Sequence, residues 1–271
     1  MDKAAERGEG NTKEETDRNG LGRIENAAGW PGAGFIPPVI YHGTGGMAND
    51  AEQLVIAPTS ETPIGTVVFV HGLGQLRESW MPTVERLAER LPGVRWVLPQ
   101  APNRPVTYNE GRYRPSWFDI ANLPPCDCYD ETGIAASVAS IESLMLSEIH
   151  DGTESSKVVL VGFSQGAALC LMVALTTLHD LGGVASLSGW IPRQSRQTMI
   201  QMEPNLPVFW GHGNSDHEVP LHVAEECVSF LRDTLDLPDE RLVFKTYEGL
   251  EHTVSEAEMD DLADWLLRVL A

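Results

Sequence analysis

Val158-Val159-Leu160-Val161-Gly162-Phe163-Ser164-Gln165-Gly166, followed by Ala167-Ala168-Leu169, decides how this chain is read. An apolar, β-branched run enters a Gly-x-Ser-x-Gly turn and leaves it as a small-residue, helix-forming segment. That order is the strand–turn–helix pattern of a nucleophile elbow. The serine sits on a sharp turn, so its hydroxyl stands clear of the backbone at the end of a sheet strand. Glycines two residues to either side remove the side chains that would collide where strand and helix approach. A helix beginning at Gln165 aims its unbonded N–H groups and positive dipole end at the serine. Ser164 is therefore the candidate nucleophile.

Working outward, strand and helix patterns alternate. Residues 53–57 read as an edge strand, and Thr66-Val67-Val68-Phe69-Val70 as a buried one ending in His71-Gly72-Leu73-Gly74. Residues 80–91 carry Val84, Leu87 and Leu91 on one helical face, and 94–98 read as the next strand. A long proline-rich loop is expected over 99–125. A helix over 132–150 follows, with Ile134, Val138, Ile141, Leu144 and Ile149 on its stripe. After the elbow strand come a helix over 165–179, strands at 183–187 and 206–210, a helix over 221–235 and a strand at 241–247. The last helix runs over 255–270, opened by Ser255 with Glu258 three residues on as a capping box. The predicted class is α/β with a mostly parallel sheet flanked by helices. Only a short polar segment separates residues 187 and 206, so no large cap is expected and the site stays open to bulky substrates.

Composition narrows the partners. The chain has 271 residues, 42% hydrophobic and 21% charged, which suits one large soluble domain. Residues 1–34 are polar and charged with little to bury, and are expected to form a disordered tail before a domain over 35–271. With 19 basic against 39 acidic residues the net charge is −20, which argues against nucleic acid and anionic membrane partners. His42-Gly43-Thr44-Gly45-Gly46 lacks the context of a phosphate loop and reads as a turn. Of the four cysteines, Cys170 and Cys227 read as buried helix positions, and Cys126-Asp127-Cys128 as an inert loop pair rather than a metal or redox site. No apolar run is long enough for a membrane span, and a reducing, cytoplasmic setting is expected.

A serine hydroxyl needs a base within hydrogen-bond reach, and the base needs an acid to hold its tautomer. In elbow enzymes the order along the chain is serine, acid, histidine, each beyond the carboxyl end of a strand. Asp216 lies in the polar turn after 206–210, and His252 in the short loop after 241–247. Glu218 is the alternative acid. His212 and His217 are expected to support the turn, and Glu251 to lie on the surface. His217-Glu218-x-x-x-His222 is one residue too long for a zincin motif and is interrupted by Pro220, so no metal is expected. The oxyanion needs two backbone N–H donors: Gln165, after the nucleophile, and Leu73, in the loop after the early strand. His71 is expected to be structural.

Val70-His71-Gly72-Leu73-Gly74, Leu98-Pro99-Gln100-Ala101-Pro102, Arg104-Pro105-Val106-Thr107, Ser116-Trp117-Phe118-Asp119 and Gly162-Phe163-Ser164-Gln165-Gly166 occur in this order. Together they resemble the acyl-protein thioesterase, lysophospholipase and carboxylesterase branch of the α/β-hydrolases, over roughly residues 50–271. The resemblance implies a Ser164, Asp216, His252 triad, Leu73 and Gln165 amides as oxyanion donors, and no cofactor. It implies ester or thioester substrates, often with an acyl chain near Trp117. A general short-chain carboxylesterase is the alternative, and a non-catalytic binding module the remote one. The family commonly carries an aspartate after His-Gly-Leu-Gly, where this chain has Gln75-Leu76-Arg77.

Overall fold

The computed structural model describes residues 53–124, 130–202 and 206–271. The expected tail over 1–34, the start of the expected domain from residue 35, the glycine-rich 42–46 and Cys126-Asp127-Cys128 lie outside the described residues.

A seven-stranded sheet forms the centre. Its strands are β1 (Gln53–Ile56), β2 (Gly65–Val70), β3 (Val94–Pro99), β6 (Val158–Phe163), β7 (Gly183–Leu187), β8 (Val208–Gly213) and β9 (Leu242–Tyr247), in the spatial order β1-β3-β2-β6-β7-β8-β9. β1 runs antiparallel to β3, and every other neighbouring pair is parallel. Parallel strands covered on both faces need apolar side chains in both directions, and every residue of β2 and β6 is buried.

Two helical layers supply the cover. Val67, Phe69, Val159 and Val161 pack with Val84 and Leu87 of α1 (Met81–Arg90) and with Leu262 and Leu266 of α6 (Glu256–Leu270). Val68, Val70, Val158 and Leu160 face the other way, onto α2 (Glu131–His150), α3 (Gln165–Ala174) and α5 (Leu221–Ser229). Each fully buried aliphatic side chain contributes about 1.5–3 kcal/mol. α3 is buried along its whole length and ends at Ala174, five residues before the expected 179.

Two elements were not legible in the sequence. The expected proline-rich loop contains an antiparallel hairpin, β4 (Asn103–Val106) with β5 (Arg112–Pro115), turned through Glu110 and Gly111 at φ 59° and 74°. The polar stretch before residue 206 holds a short helix, α4 (Arg196–Met202). Trp190 and Ile191, just ahead of it, are buried in the core rather than raised over the sheet as a cap. No helix among the described residues is long and apolar enough to cross a membrane.

Candidate active site

The turn between β6 and α3 holds Ser164 at φ 54°, ψ −120°, a conformation that a residue with a side chain adopts only under strain of about 1–3 kcal/mol. Its surroundings enforce it. The Ser164 N–H donates to the Leu187 carbonyl at 2.8 Å, and its own carbonyl accepts from the Ala168 N–H at 3.0 Å. The flanking glycines are sterically required. A Cβ on Gly162 would lie 2.4 Å from the Gly166 carbonyl oxygen, and one on Gly166 2.2 Å from that of Val70. The serine side chain caps no backbone N–H of α3, which leaves Oγ available.

Two loops from distant parts of the chain meet that hydroxyl. His252 Nε2 lies 2.8 Å from Ser164 Oγ, and His252 Nδ1 lies 2.7 Å from Asp216 Oδ2. Asp216 Oδ1 accepts from the Glu218 and Val219 N–H groups, both at 2.9 Å. Burial opposes the Asp216 charge, but the bond to His252, that ring's field and the Val219 N–H outweigh it and hold the carboxyl below its ordinary range. The Glu218 carboxylate approaches the other ring nitrogen, Nε2, at 3.8 Å. The carboxylate in contact with His252 Nδ1 is thus Asp216.

The two supporting histidines divide. His212 is fully buried on β8, and its Nε2–H donates to the Val219 carbonyl at 2.7 Å, closing the loop that carries Asp216. Burial lowers its pKa, so the ring is neutral. His217 is exposed instead, as is Glu251. Pro220 is the N-cap of α5, so His217 lies off the helix that carries His222. Among the described residues no cluster of three or more His, Cys, Asp or Glu could hold a metal ion.

The loop after β2 closes over Ser164. A Cβ on Gly72 would come within 3.3 Å of the Ser164 Cβ, so this backbone passes directly beside the elbow. The Leu73 N–H has no acceptor among the described residues, and Gln165, first in α3, has no intrahelical one. Three side chains and one backbone hydrogen bond fix this loop. Gln75 Oε1 accepts from the Gly72 N–H at 2.8 Å and from Trp80 Nε1 at 2.9 Å. His71 Nε2 accepts from the Ala101 N–H at 3.1 Å, while its Nδ1–H donates to the Gly72 carbonyl at 2.8 Å. Burial depresses His71 to about 4, which keeps it neutral in that tautomer. The Gly74 N–H donates to the Pro115 carbonyl at 2.8 Å, tying the loop to the hairpin.

Gln165 also works through its side chain. Oε1 accepts from the Trp117 N–H at 3.0 Å, and Nε2 donates to the Phe118 carbonyl at 2.7 Å. Trp117, expected beside an acyl chain, is 2% exposed, and its Nε1–H donates to the His71 carbonyl at 2.7 Å. The indole fixes the His71–Gly74 loop and offers no open face. A lone glutamine has no spacing signature, so the amide side chains of Gln75 and Gln165 were invisible as site residues.

The sequence profile of the phospholipase/carboxylesterase family matches residues 51–270. The chain belongs to that family. It is similar to acyl-protein thioesterase 1 of Cryptococcus neoformans var. neoformans serotype D, with 36% identity over 240 residues, covering 83% of this chain and 100% of the relative. Acyl-protein thioesterase 1 of Mycosarcoma maydis is 37% identical over 234 residues, covering 81% and 97%. Among solved structures, Arabidopsis thaliana SOBER1 superposes with a TM-score of 0.70 at 31% identity, covering 76% of this chain and 99% of that one. Zea mays acyl-protein thioesterase 2 gives 0.70 at 29% identity, covering 81% and 99%. This phospholipase/carboxylesterase family member is a hydrolytic α/β enzyme acting on ester and thioester bonds.

Chemically, the arrangement can remove a proton from Ser164 and return it to a leaving group through one ring. It can also hold the resulting imidazolium against a buried carboxylate and meet a developing oxyanion with two backbone N–H groups.

Proposed function

We propose that this enzyme is an acyl-protein thioesterase of the cytosol, with Ser164 as nucleophile, His252 as base and then acid, Asp216 as orienting carboxylate, and the Leu73 and Gln165 amides as oxyanion donors. The unbroken contact from Ser164 Oγ through His252 to Asp216 carries this reading. Its similarity to two fungal acyl-protein thioesterases supports the thioester substrate.

In the first half-reaction Ser164 Oγ bonds to the thioester carbon as its proton passes to His252 Nε2. The carbonyl oxygen, now negative, faces the two amides. The C–S bond then breaks, and the thiolate sulfur takes the proton from Nε2. In the second half, water gives a proton to Nε2 and attacks the acyl-serine carbon. The Ser164 Oγ–C bond breaks, the proton returns to Oγ, and the fatty acid leaves.

Ser164→Ala lowers kcat on a palmitoyl thioester by about 10⁴-fold or more with unchanged circular dichroism, and abolishes labelling by a fluorophosphonate. Comparable turnover in that variant ends the nucleophile assignment. A parent enzyme that hydrolyses short p-nitrophenyl esters but not palmitoyl thioesters is a general carboxylesterase instead.

A further inference from the structure

The proton donor to the leaving group is His252 Nε2, so the departing sulfur must lie within hydrogen-bond reach of that atom. Glu218 Oε2 lies 3.8 Å from the same nitrogen. The carboxylate and the leaving group are therefore neighbours of one atom. The main chain of Glu218 is fixed, because its N–H donates to Asp216 Oδ1 at 2.9 Å. Its side chain is 59% exposed, and no lysine or arginine among the described residues pairs with it.

We propose that Glu218 is a specificity-determining residue that selects acyl-cysteines flanked by basic residues. This rests on the thioesterase reading above and names its substrate class. An arginine beside the acylated cysteine brings its guanidinium within several ångströms of Glu218 when the sulfur sits at Nε2. An acidic flank brings two like charges to the same place. The net charge of −20 acts in the same direction at longer range, drawing cationic chains toward the protein. The carboxylate is open to water, so screening limits the effect to roughly threefold to tenfold in rate.

The test compares three peptides that differ only in the residues flanking one S-octanoyl cysteine: arginine on both sides, alanine, or glutamate. Thiol release gives kcat/KM for each. The parent prefers the arginine peptide over the glutamate peptide, and salt at about 0.5 M shrinks that preference. Glu218→Gln lowers the arginine-to-glutamate ratio by roughly threefold to tenfold relative to the parent. Glu218→Lys lowers it further. Glu89→Gln, which removes an exposed charge on α1, leaves the ratio unchanged. The alanine peptide reports any general loss in each variant, so a damaged fold does not mimic a change in ratio.

A ratio in Glu218→Gln within about twofold of the parent overturns the assignment, as does an equal drop in Glu89→Gln. A parent enzyme that releases thiol from none of the three peptides instead overturns the thioesterase reading itself.

Discussion

Asp216 and Glu258 lie close to the same strand end and are both buried, with 4% and 0% exposure, yet they hold opposite charge states. Asp216, beyond β8, accepts hydrogen bonds from His252 and from the Glu218 and Val219 N–H groups. Glu258, in the first turn of α6, is packed against Gly211 of β8, and neither of its carboxyl oxygens has a partner among the described residues. Burial raises the Glu258 carboxyl, the Ser255 N–H draws it back without a full hydrogen bond, and the Asp261 and Asp216 charges push it up again, to about 8. Depth in the fold penalises both charges. The donors within reach decide which group stays ionised. One carboxyl is equipped to stabilise a histidine cation, and the other is a neutral packing element beneath the strand that carries it.

The largest consequence is kinetic. Asp216→Asn breaks the contact with His252 Nδ1 and lowers kcat by about 10⁴-fold, whereas Glu258→Gln keeps kcat within an order of magnitude, both read by steady-state thioesterase assays. Near-equal losses in the two variants would erase the distinction.

The next effect is on stability, and the two groups contribute with opposite signs. Folded Asp216 binds its proton less tightly than the unfolded chain does. Its contribution is present at neutral pH and is lost on acidification through the aspartate range. Folded Glu258 keeps a proton that the unfolded chain releases. Its contribution is full in acid and declines as the pH rises from about 4.5 to about 8. Glu258→Gln flattens that decline and is more stable than the parent at pH 8 by roughly 3 kcal/mol, measured by denaturant melts at a series of pH values.

The smallest effect sharpens the packing half of the comparison. A Cβ on Gly211 would lie 2.3 Å from Glu258 Oε1. Gly211→Ala therefore costs about 1–3 kcal/mol, and pairing it with Glu258→Ala recovers part of that loss. Simple additivity of the two variants would mean that the glutamate does not fill this space.

Much of the fold was legible because its signals are local. The β6 run, the amphipathic stripe of α1 and the Ser255 cap each declare themselves within a dozen residues, and the Glu258 N–H does donate to Ser255 Oγ at 3.2 Å. The reciprocal half of that capping box was expected and is absent, because the Glu258 side chain turns inward against β8. The β4–β5 hairpin escaped notice because Asn103-Arg104-Pro105 and Arg112-Tyr113-Arg114 show no alternation of apolar and polar residues. Its strands pair with each other and hold the His71–Gly74 loop, and of β4 only Val106 reaches the core.

The chain order of the site was also legible: a serine between two glycines, then an aspartate and a histidine after later strands. The sequence already prefers Asp216 to Glu218 as the acid; what three-dimensional geometry adds is that Asp216 faces Nδ1 of His252 while Glu218 approaches Nε2. Local pattern determined the elements and the candidate residues, since propensity, periodicity and steric need act over a few positions. Tertiary structure alone decided which carboxyl is charged, which nitrogen each one faces and which glutamines hold the loop. Those outcomes depend on distances and desolvation between residues tens of positions apart, which no linear spacing encodes.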